Sequence, residues 1–242
     1  MQSNTLTLKE LCSRAISVVR HKGLVLLVWG VVAFLLCLPC AMLFAHKLYL
    51  GGVQVTPFDM WESATALGRL EMVFSAWFMS FVLLGLTQAV ATVATFDYCQ
   101  DQATSMGKTI RLILPRLHRI LALQLFVILL FPFLFLLSLF AIPAILFDGK
   151  RMFKAFRRSA YLLFTKVGKA ILSLLPAAVI AYAWTVAVVH PLSRGPIANP
   201  FFATLLIEAR GPAIYFLGGV IIGIPTALLY YQNREASQDA VG

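Results

Sequence analysis

The chain has 242 residues, 60% of them hydrophobic and 12% charged, with a mean hydropathy of +0.87. A soluble domain is about half apolar and a quarter charged, so this composition excludes a water-soluble globule and a disordered chain alike. The formal net charge is +10, from 20 Lys and Arg against 10 Asp and Glu; in so apolar a chain that excess points to anionic lipid as a partner and away from nucleic acid.

The first element starts at Thr7. Thr7-Leu8-Lys9-Glu10 has the pattern of a capping box, in which the first and fourth residues satisfy each other's backbone N–H groups. Over 7–20, Leu8, Leu11, Cys12, Ala15 and Val19 share a face, and Lys9, Glu10, Ser13, Arg14 and Ser17 lie largely opposite. The segment therefore reads as an amphipathic helix. An apolar stretch follows at 23–45, and a second at 72–96. Each matches a hydrocarbon core about 30 Å thick at 1.5 Å per residue. The first is too long for the apolar region of a signal peptide and carries no small-residue cleavage site, so it is expected to be retained. In the second, Thr87 to Thr95 with Ala91 and Ala94 reads as a small-residue packing face. Gln88 is placed to pair with Gln124 across helices. Asp97 and Asp101 fall at its inner end, where Arg111 or Arg116 is the expected partner.

A short basic segment, 108–119, carries Lys108, Arg111, Arg116 and Arg119 and is interrupted by Pro115. The stretch 120–147 is apolar, with Pro132 near its middle and Pro143 near its end. Next, 150–166 is amphipathic: Met152, Phe153, Phe156, Ala160, Leu163, Phe164 and Val167 recur at helical spacing, against Lys150, Arg151, Lys154, Arg157, Arg158 and Thr165. This describes an interfacial helix, and Lys150, Arg151, Lys154, Arg157 and Arg158 are the candidate lipid-headgroup residues. Two further apolar spans, 170–189 and 212–231, complete the chain.

Charge bias decides the path of 120–147. Segments 1–22, 97–119, 148–169 and the C-terminal tail hold 4, 4, 7 and 1 of the Lys and Arg, and 46–71 and 190–211 hold 2 each. A single crossing at 120–147 would divide the basic residues equally between the two sides. A return to the side of origin puts 16 on one side and 4 on the other, which the positive-inside rule favours. A break near Phe131-Pro132-Phe133 suits the turn, because proline removes a helical hydrogen bond. Backbone broken at that depth needs shelter from lipid by other helices. The alternative is one long tilted helix.

The expected fold is all-α: four full transmembrane helices and a Pro-broken helical hairpin (108–147), with basic amphipathic helices at the inner interface. The chain reads as a single polytopic membrane domain over 1–242. Repeat-like halves cover 7–100 and 150–232. At a shift of 145, Lys9 meets Lys154, Ala15 meets Ala160 and Gly23 meets Gly168, and apolar Leu8, Leu11, Val18 and Val19 meet Phe153, Phe156, Leu163 and Phe164. Parallel repeats of this kind occur in some transporters.

Chemistry-bearing motifs are few. Cys37-Leu38-Pro39-Cys40 has redox spacing. It lies inside a span, however, and Cys12 and Cys99 fall on the opposite side of the membrane, so the pair is expected to fill apolar space beside Pro39. His21, His46, His118 and His190 lack metal-ligand spacing, and His46 and His190 are expected near the outer interface. No Asp, Glu, Lys or Arg lies in the middle of a span, which argues against a proton-coupled carrier. No cofactor or metal is expected.

Four stretches carry a resemblance: 6–23 (LTLKELCSRAISVVRHKG), 98–116, 142–169 (IPAILFDGKRMFKAFRRSAYLLFTKVGK) and 228–239 (LLYYQNREASQD). Together they resemble the multi-pass membrane domain attached to some glycerophosphodiester phosphodiesterases, and its stand-alone inner-membrane relatives. In the third stretch that family has a proline, an acidic residue and an amphipathic Arg-Arg-Ser helix, with Asp148 here in place of glutamate. The catalytic barrel of those enzymes is not expected within these 242 residues. His21-Lys22-Gly23 is the nearest approach to its His-Arg-Gly start, and the downstream Glu and Asp cluster is missing, so no catalytic residue carries over.

The 16 basic residues gathered on one side and the missing catalytic sets point to a non-enzymatic polytopic membrane protein with both termini cytoplasmic, and the resemblance implies the bacterial inner membrane. It would be a scaffold or a lipid- or envelope-related subunit, whose partners are anionic membrane lipids and a membrane protein complex. The alternatives are a small transporter or channel subunit for a solute or lipid, and a membrane thiol oxidoreductase at Cys37 and Cys40.

Overall fold

The computed structural model describes residues 7–49, 65–129, 138–165, 179, 183 and 200–238. Every regular element among them is helical, with no strand. The expected span at 170–189 (apart from 179 and 183), the turn at Phe131 to Phe133 and His190 lie outside the described residues.

Helix α1 runs Leu8–Tyr49, 42 residues, or about 63 Å at 1.5 Å per residue. The amphipathic opening and the first apolar stretch are therefore one rod. Its start is the capping box: the Thr7 N–H donates to Glu10 Oε2 at 2.7 Å, and the Glu10 N–H donates to Thr7 Oγ1 at 3.3 Å. The buried stripe is Leu11, Val18, Leu26, Trp29, Ala33 and Cys37. The face expected around Leu8, Cys12 and Val19 is thus rotated, with Cys12 and Val19 exposed and Val18 fully buried. One rigid helix presents one line to its neighbours, and the line through Leu26 and Trp29 fixes which residues face inward nearer the start.

Helix α2 (Ala66–Ser80), a π-helical segment (Phe81–Leu86) and α3 (Thr87–Cys99) follow one another without a break. Thr65 caps α2 by accepting the Gly68 N–H at 3.2 Å. Helix α3 is the centre of the bundle, buried continuously from Thr87 to Asp97. A helix enclosed on all sides must satisfy its own hydroxyls. Thr92 and Thr95 donate to the carbonyls of Gln88 and Ala91, both at 2.7 Å, and Thr87 Oγ1 accepts from Trp29 Nε1 at 2.9 Å.

The long helix α8 (Pro200–Gln238) packs on this face. A Cβ built at Gly219 would lie 2.8 Å from Thr87 Cβ, and one at Gly223 would lie 2.9 Å from Ala91 Cβ. Only glycine at those positions lets the backbones approach so closely, as in other small-xxx-small helix contacts. Small residues on both helices therefore make the joint that the Thr87 to Thr95 pattern pointed to from one side.

Beyond α3 come α4 (Met106–Ile113), a 3₁₀ turn at Leu114–Arg116, α5 (Leu117–Leu129), α6 (Ala141–Phe147) and α7 (Met152–Thr165). Arg119 Nη1 donates to the Gly149 carbonyl at 2.7 Å. The chain thus leaves this end of the bundle after Arg119 and comes back to it by Gly149. Gln88 Nε2 donates to the Leu139 carbonyl at 3.0 Å. The expected Gln88–Gln124 pair is replaced by this bond, while Gln124 packs on Gly85.

Among the described residues, two helical stretches, Lys9–Cys40 and Phe81–Cys99, are long and apolar enough to cross a membrane. Their surroundings differ: α3 is enclosed, whereas α1 turns Leu24, Leu27, Val31 and Leu35 outward. At the 145-residue shift some positions share their burial and others, such as buried Leu11 and half-buried Phe156, do not. Val18 and Leu163 are buried, Val19 and Phe164 exposed, and Ala15 and Ala160 half-buried.

Candidate functional site at the basic end of the bundle

The site is built on the turn between α6 and α7. Gly149 has φ +61, a left-handed conformation that glycine adopts without a Cβ penalty. That turn sends the Lys150 N–H back to the Ala144 carbonyl at 3.3 Å, closing α6 and holding Asp148 towards α8. There the Tyr230 hydroxyl donates to Asp148 Oδ2 at 2.5 Å. Lys150 Nζ lies 3.6 Å from the same oxygen, and Arg234 Nε lies 3.7 Å from Oδ1. Arg119 reaches the Gly149 carbonyl from α5.

Arg158 approaches from α7. It neighbours the Tyr230 hydroxyl, and its guanidinium lies 5.7 Å from the Tyr161 ring centre. Its Nε is buried without a hydrogen-bond partner among the described residues. The next residue is structural: Ser159 Oγ accepts the Phe140 N–H at 2.8 Å, satisfying a buried donor just ahead of α6.

The five candidate headgroup residues thus divide. Lys150 and Arg158 turn in towards Asp148 and Tyr230, whereas Arg151, Lys154 and Arg157 are exposed. The packed face of α7 is Ala155, Ser159, Leu162 and Leu163. Phe153 and Phe164, expected on the face opposite the basic residues, are 68% and 72% exposed and share their face with Arg157. Packing selects small Ala155 and Ser159 because α6 comes close there, which leaves the two large aromatic residues outside.

A second polar group lies at the same end. Asp97 is buried at 4% exposure, and its partner is Lys108, at 2.6 Å, in place of the expected Arg111 or Arg116. Ser105 caps α4 by accepting the Lys108 N–H at 3.2 Å, which brings Lys108 into the first turn, beside the end of α3. Arg116 instead donates to the Leu112 carbonyl in its own turn. Lys108 also donates to Gln102 Oε1 at 2.8 Å, and Lys22 donates to the Gln102 carbonyl at 2.6 Å. His21 meets the Tyr98 ring at a tilt of 46°, with 5.6 Å between ring centres.

An aromatic seam joins the two polar groups. Phe147 stacks on Phe96 with centroids 3.5 Å apart, and Tyr231 meets Phe96 edge-on at 5.0 Å. The described parts of 6–23, 98–116, 142–169 and 228–239 therefore gather at one end of the molecule. Tyr230 and Arg234 are not legible in the sequence as partners of Asp148, because 82 residues separate Tyr230 from Asp148.

Cys37 and Cys40 are free thiols in the interior of α1, Cys37 buried and Cys40 half-buried. Among the described residues, no group of three His, Cys, Asp or Glu is arranged to hold a metal ion. Away from the polar end, an apolar groove of about 320 Å³ opens between α1, the π-helical segment and α8, lined by Leu27, Gly30, Val31, Phe34, Leu83 and Phe216 among others. No protein-family model matches the chain, and neither does any curated protein or solved structure.

Proposed function

We propose that the chain is a non-enzymatic polytopic protein of a bacterial inner membrane. On this reading it has four spans and a returning hairpin, both termini are cytoplasmic, and its basic end holds anionic phospholipid as a scaffold or lipid-related subunit. The resemblance to the membrane domain attached to glycerophosphodiester phosphodiesterases belongs to this proposal.

The observation that carries it is the outer face of α7. Exposed Phe153 and Phe164 stand beside Arg157 and Lys154 on a helix whose opposite side is packed. Aromatic side chains buried at the acyl boundary, with cations at headgroup level, are what an interfacial helix presents to an anionic leaflet. The charge count over the whole chain agrees. In water, the outward Leu24, Leu27, Val31 and Leu35 of α1 would form an apolar patch that invites association, whereas in hydrocarbon they face their own solvent.

The test is lipid enrichment. The full chain is placed in nanodiscs of 80% phosphatidylcholine and 20% phosphatidylglycerol, and the lipids retained on transfer to detergent are measured by native mass spectrometry. Phosphatidylglycerol should be retained several-fold above its bulk share, and the double charge reversal Lys154→Glu, Arg157→Glu should abolish the enrichment. Retention in bulk proportion by the wild-type chain would refute the reading.

A second reading, lipid transport, has the apolar groove in its favour: a wholly apolar cleft at span depth suits an acyl chain and no polar solute. Val31→Trp, at an exposed position in the groove wall, narrows the groove and should abolish movement of a fluorescent lipid between the leaflets of proteoliposomes if the groove serves it.

A further inference from the structure

The turn Asp148–Gly149–Lys150 carries more positive charge than its structure uses. Lys150 and Arg234 flank a single carboxylate, Arg158 stands beside the tyrosine that donates to it, and Arg119 is anchored one residue away. Asp148 supplies one negative charge to balance them. Its own hydrogen bond comes from Tyr230. The Lys150 and Arg234 nitrogens stand at 3.6 and 3.7 Å from it, beyond good hydrogen-bond distance, so those donors remain available to another acceptor.

Arg158 sharpens the point. A buried guanidinium N–H without an acceptor is costly, because the group loses its water and gains nothing in exchange. Lys150 and Arg234 keep about a third of their side-chain surface open, 33% and 37%. The cluster is therefore sheltered from water and still accessible. A ligand that satisfies it must be anionic and must offer several acceptor oxygens at once, which is the chemistry of a phosphate group held by arginines.

We infer that Lys150, Arg158 and Arg234 form a binding site for one phosphate group, with Asp148 and Tyr230 holding the cations in place around it. The phosphate comes from an anionic lipid headgroup or from solution. This deepens the reading of the basic end as an anionic-lipid surface, and rests on that reading for the lipid as the source. It differs in location: the exposed face of α7 meets the leaflet in bulk, whereas this site takes one group at a fixed place. Asp148 contributes by preventing mutual repulsion of the three cations when the site is empty.

The experiment uses the full chain in dodecyl maltoside micelles, with no bilayer present. Inorganic phosphate, dihexanoyl phosphatidic acid and, as a zwitterionic control, dihexanoyl phosphatidylcholine are titrated by calorimetry. The expected result is saturable binding of one phosphatidic acid per chain, no binding of phosphatidylcholine, and Kd at least tenfold weaker in Arg158→Gln and in Arg234→Gln. Lys9→Gln, at an exposed position on α1, should bind as the wild type does. Arg234 is more than a third exposed, so its variant tests the site even if Arg158→Gln does not fold. Binding of inorganic phosphate with similar affinity identifies a free phosphate as a ligand; binding of phosphatidic acid alone identifies the lipid headgroup. Absence of saturable binding of either probe, or wild-type affinity in Arg234→Gln, overturns the proposal. Neither result touches the nanodisc test of the α7 surface, so the two readings fail separately.

Discussion

Arg119 Nη1 and the Gly149 carbonyl oxygen are 2.7 Å apart, although 30 residues of chain separate them. Run as one straight helix, those residues would put their ends about 45 Å apart. The contact ties the start of α5 to the end of α6, and it agrees with the charge count that brings the chain back to its side of origin. Spin labels at His118→Cys and Arg151→Cys, both exposed positions, should therefore lie within about 25 Å of each other, well short of the length a single helix would impose. A distance near 40 Å would show a single crossing.

The joint between α3 and α8 is tested by its glycines. Gly223→Ala places a Cβ 2.9 Å from Ala91 Cβ and 3.2 Å from Gln88 Cα. Overpacking of this kind costs about 1–3 kcal/mol, read as a lower melting temperature in detergent. Ala91→Gly in the same chain should restore part of the loss. Gly23→Ala meets nothing within 4 Å and lies inside α1, so it should be neutral or stabilising by about 0.5–1 kcal/mol.

The Asp97–Lys108 pair is asymmetric: the lysine side chain is 37% exposed and the carboxylate 6%. Lys108→Ala strands a buried charge, at a cost of about 3 kcal/mol or more. Asp97→Asn leaves a lysine that can turn to water and should cost about 1 kcal/mol, since screening weakens an exposed partner's share. Equal losses in the two variants would contradict this description of the pair.

Two helix ends make opposite predictions. Helix α3 closes with the Gln102 N–H on the Asp97 carbonyl at 2.8 Å and the Asp101 N–H on that of Tyr98 at 3.2 Å, which puts Asp101 at φ +51. Glycine is the residue of least strain there, so Asp101→Gly should stabilise the chain by about 0.5–1 kcal/mol. Gly149→Ala, at φ +61, should destabilise it by about 1 kcal/mol. Thermal unfolding of the two variants side by side checks both signs.

What the sequence disclosed depended on the range of the interaction. The Thr7 to Glu10 box is local, and its two bonds form as the spacing requires. The packing face at Thr87 to Thr95 is legible because small residues at helical spacing have few other uses inside an apolar helix. The faces of the amphipathic segments come out rotated. Apolar periodicity shows which residues tolerate burial, and the neighbouring helix chooses among them, so Val18 is taken over Val19 and Ala155 over Phe153. Gln88 finds the Leu139 carbonyl because the chain turns just ahead of α6 and leaves that oxygen free, which residue types alone do not disclose. The pairing of Asp148 with Tyr230 and Arg234 depends on a helix end 82 residues away, and no local pattern encodes it.

The side of the membrane that receives the basic end decides the topology. In a full chain with Cys12, Cys37, Cys40 and Cys99 replaced by alanine, single reporters are placed as Arg157→Cys on α7 and Gln54→Cys in 46–71. Both are treated with a membrane-impermeant maleimide, in intact cells and after permeabilisation. Gln54→Cys should react in intact cells, and Arg157→Cys only once the membrane is opened. Labelling of Arg157→Cys in intact cells would place the cations on the outer surface and contradict the account.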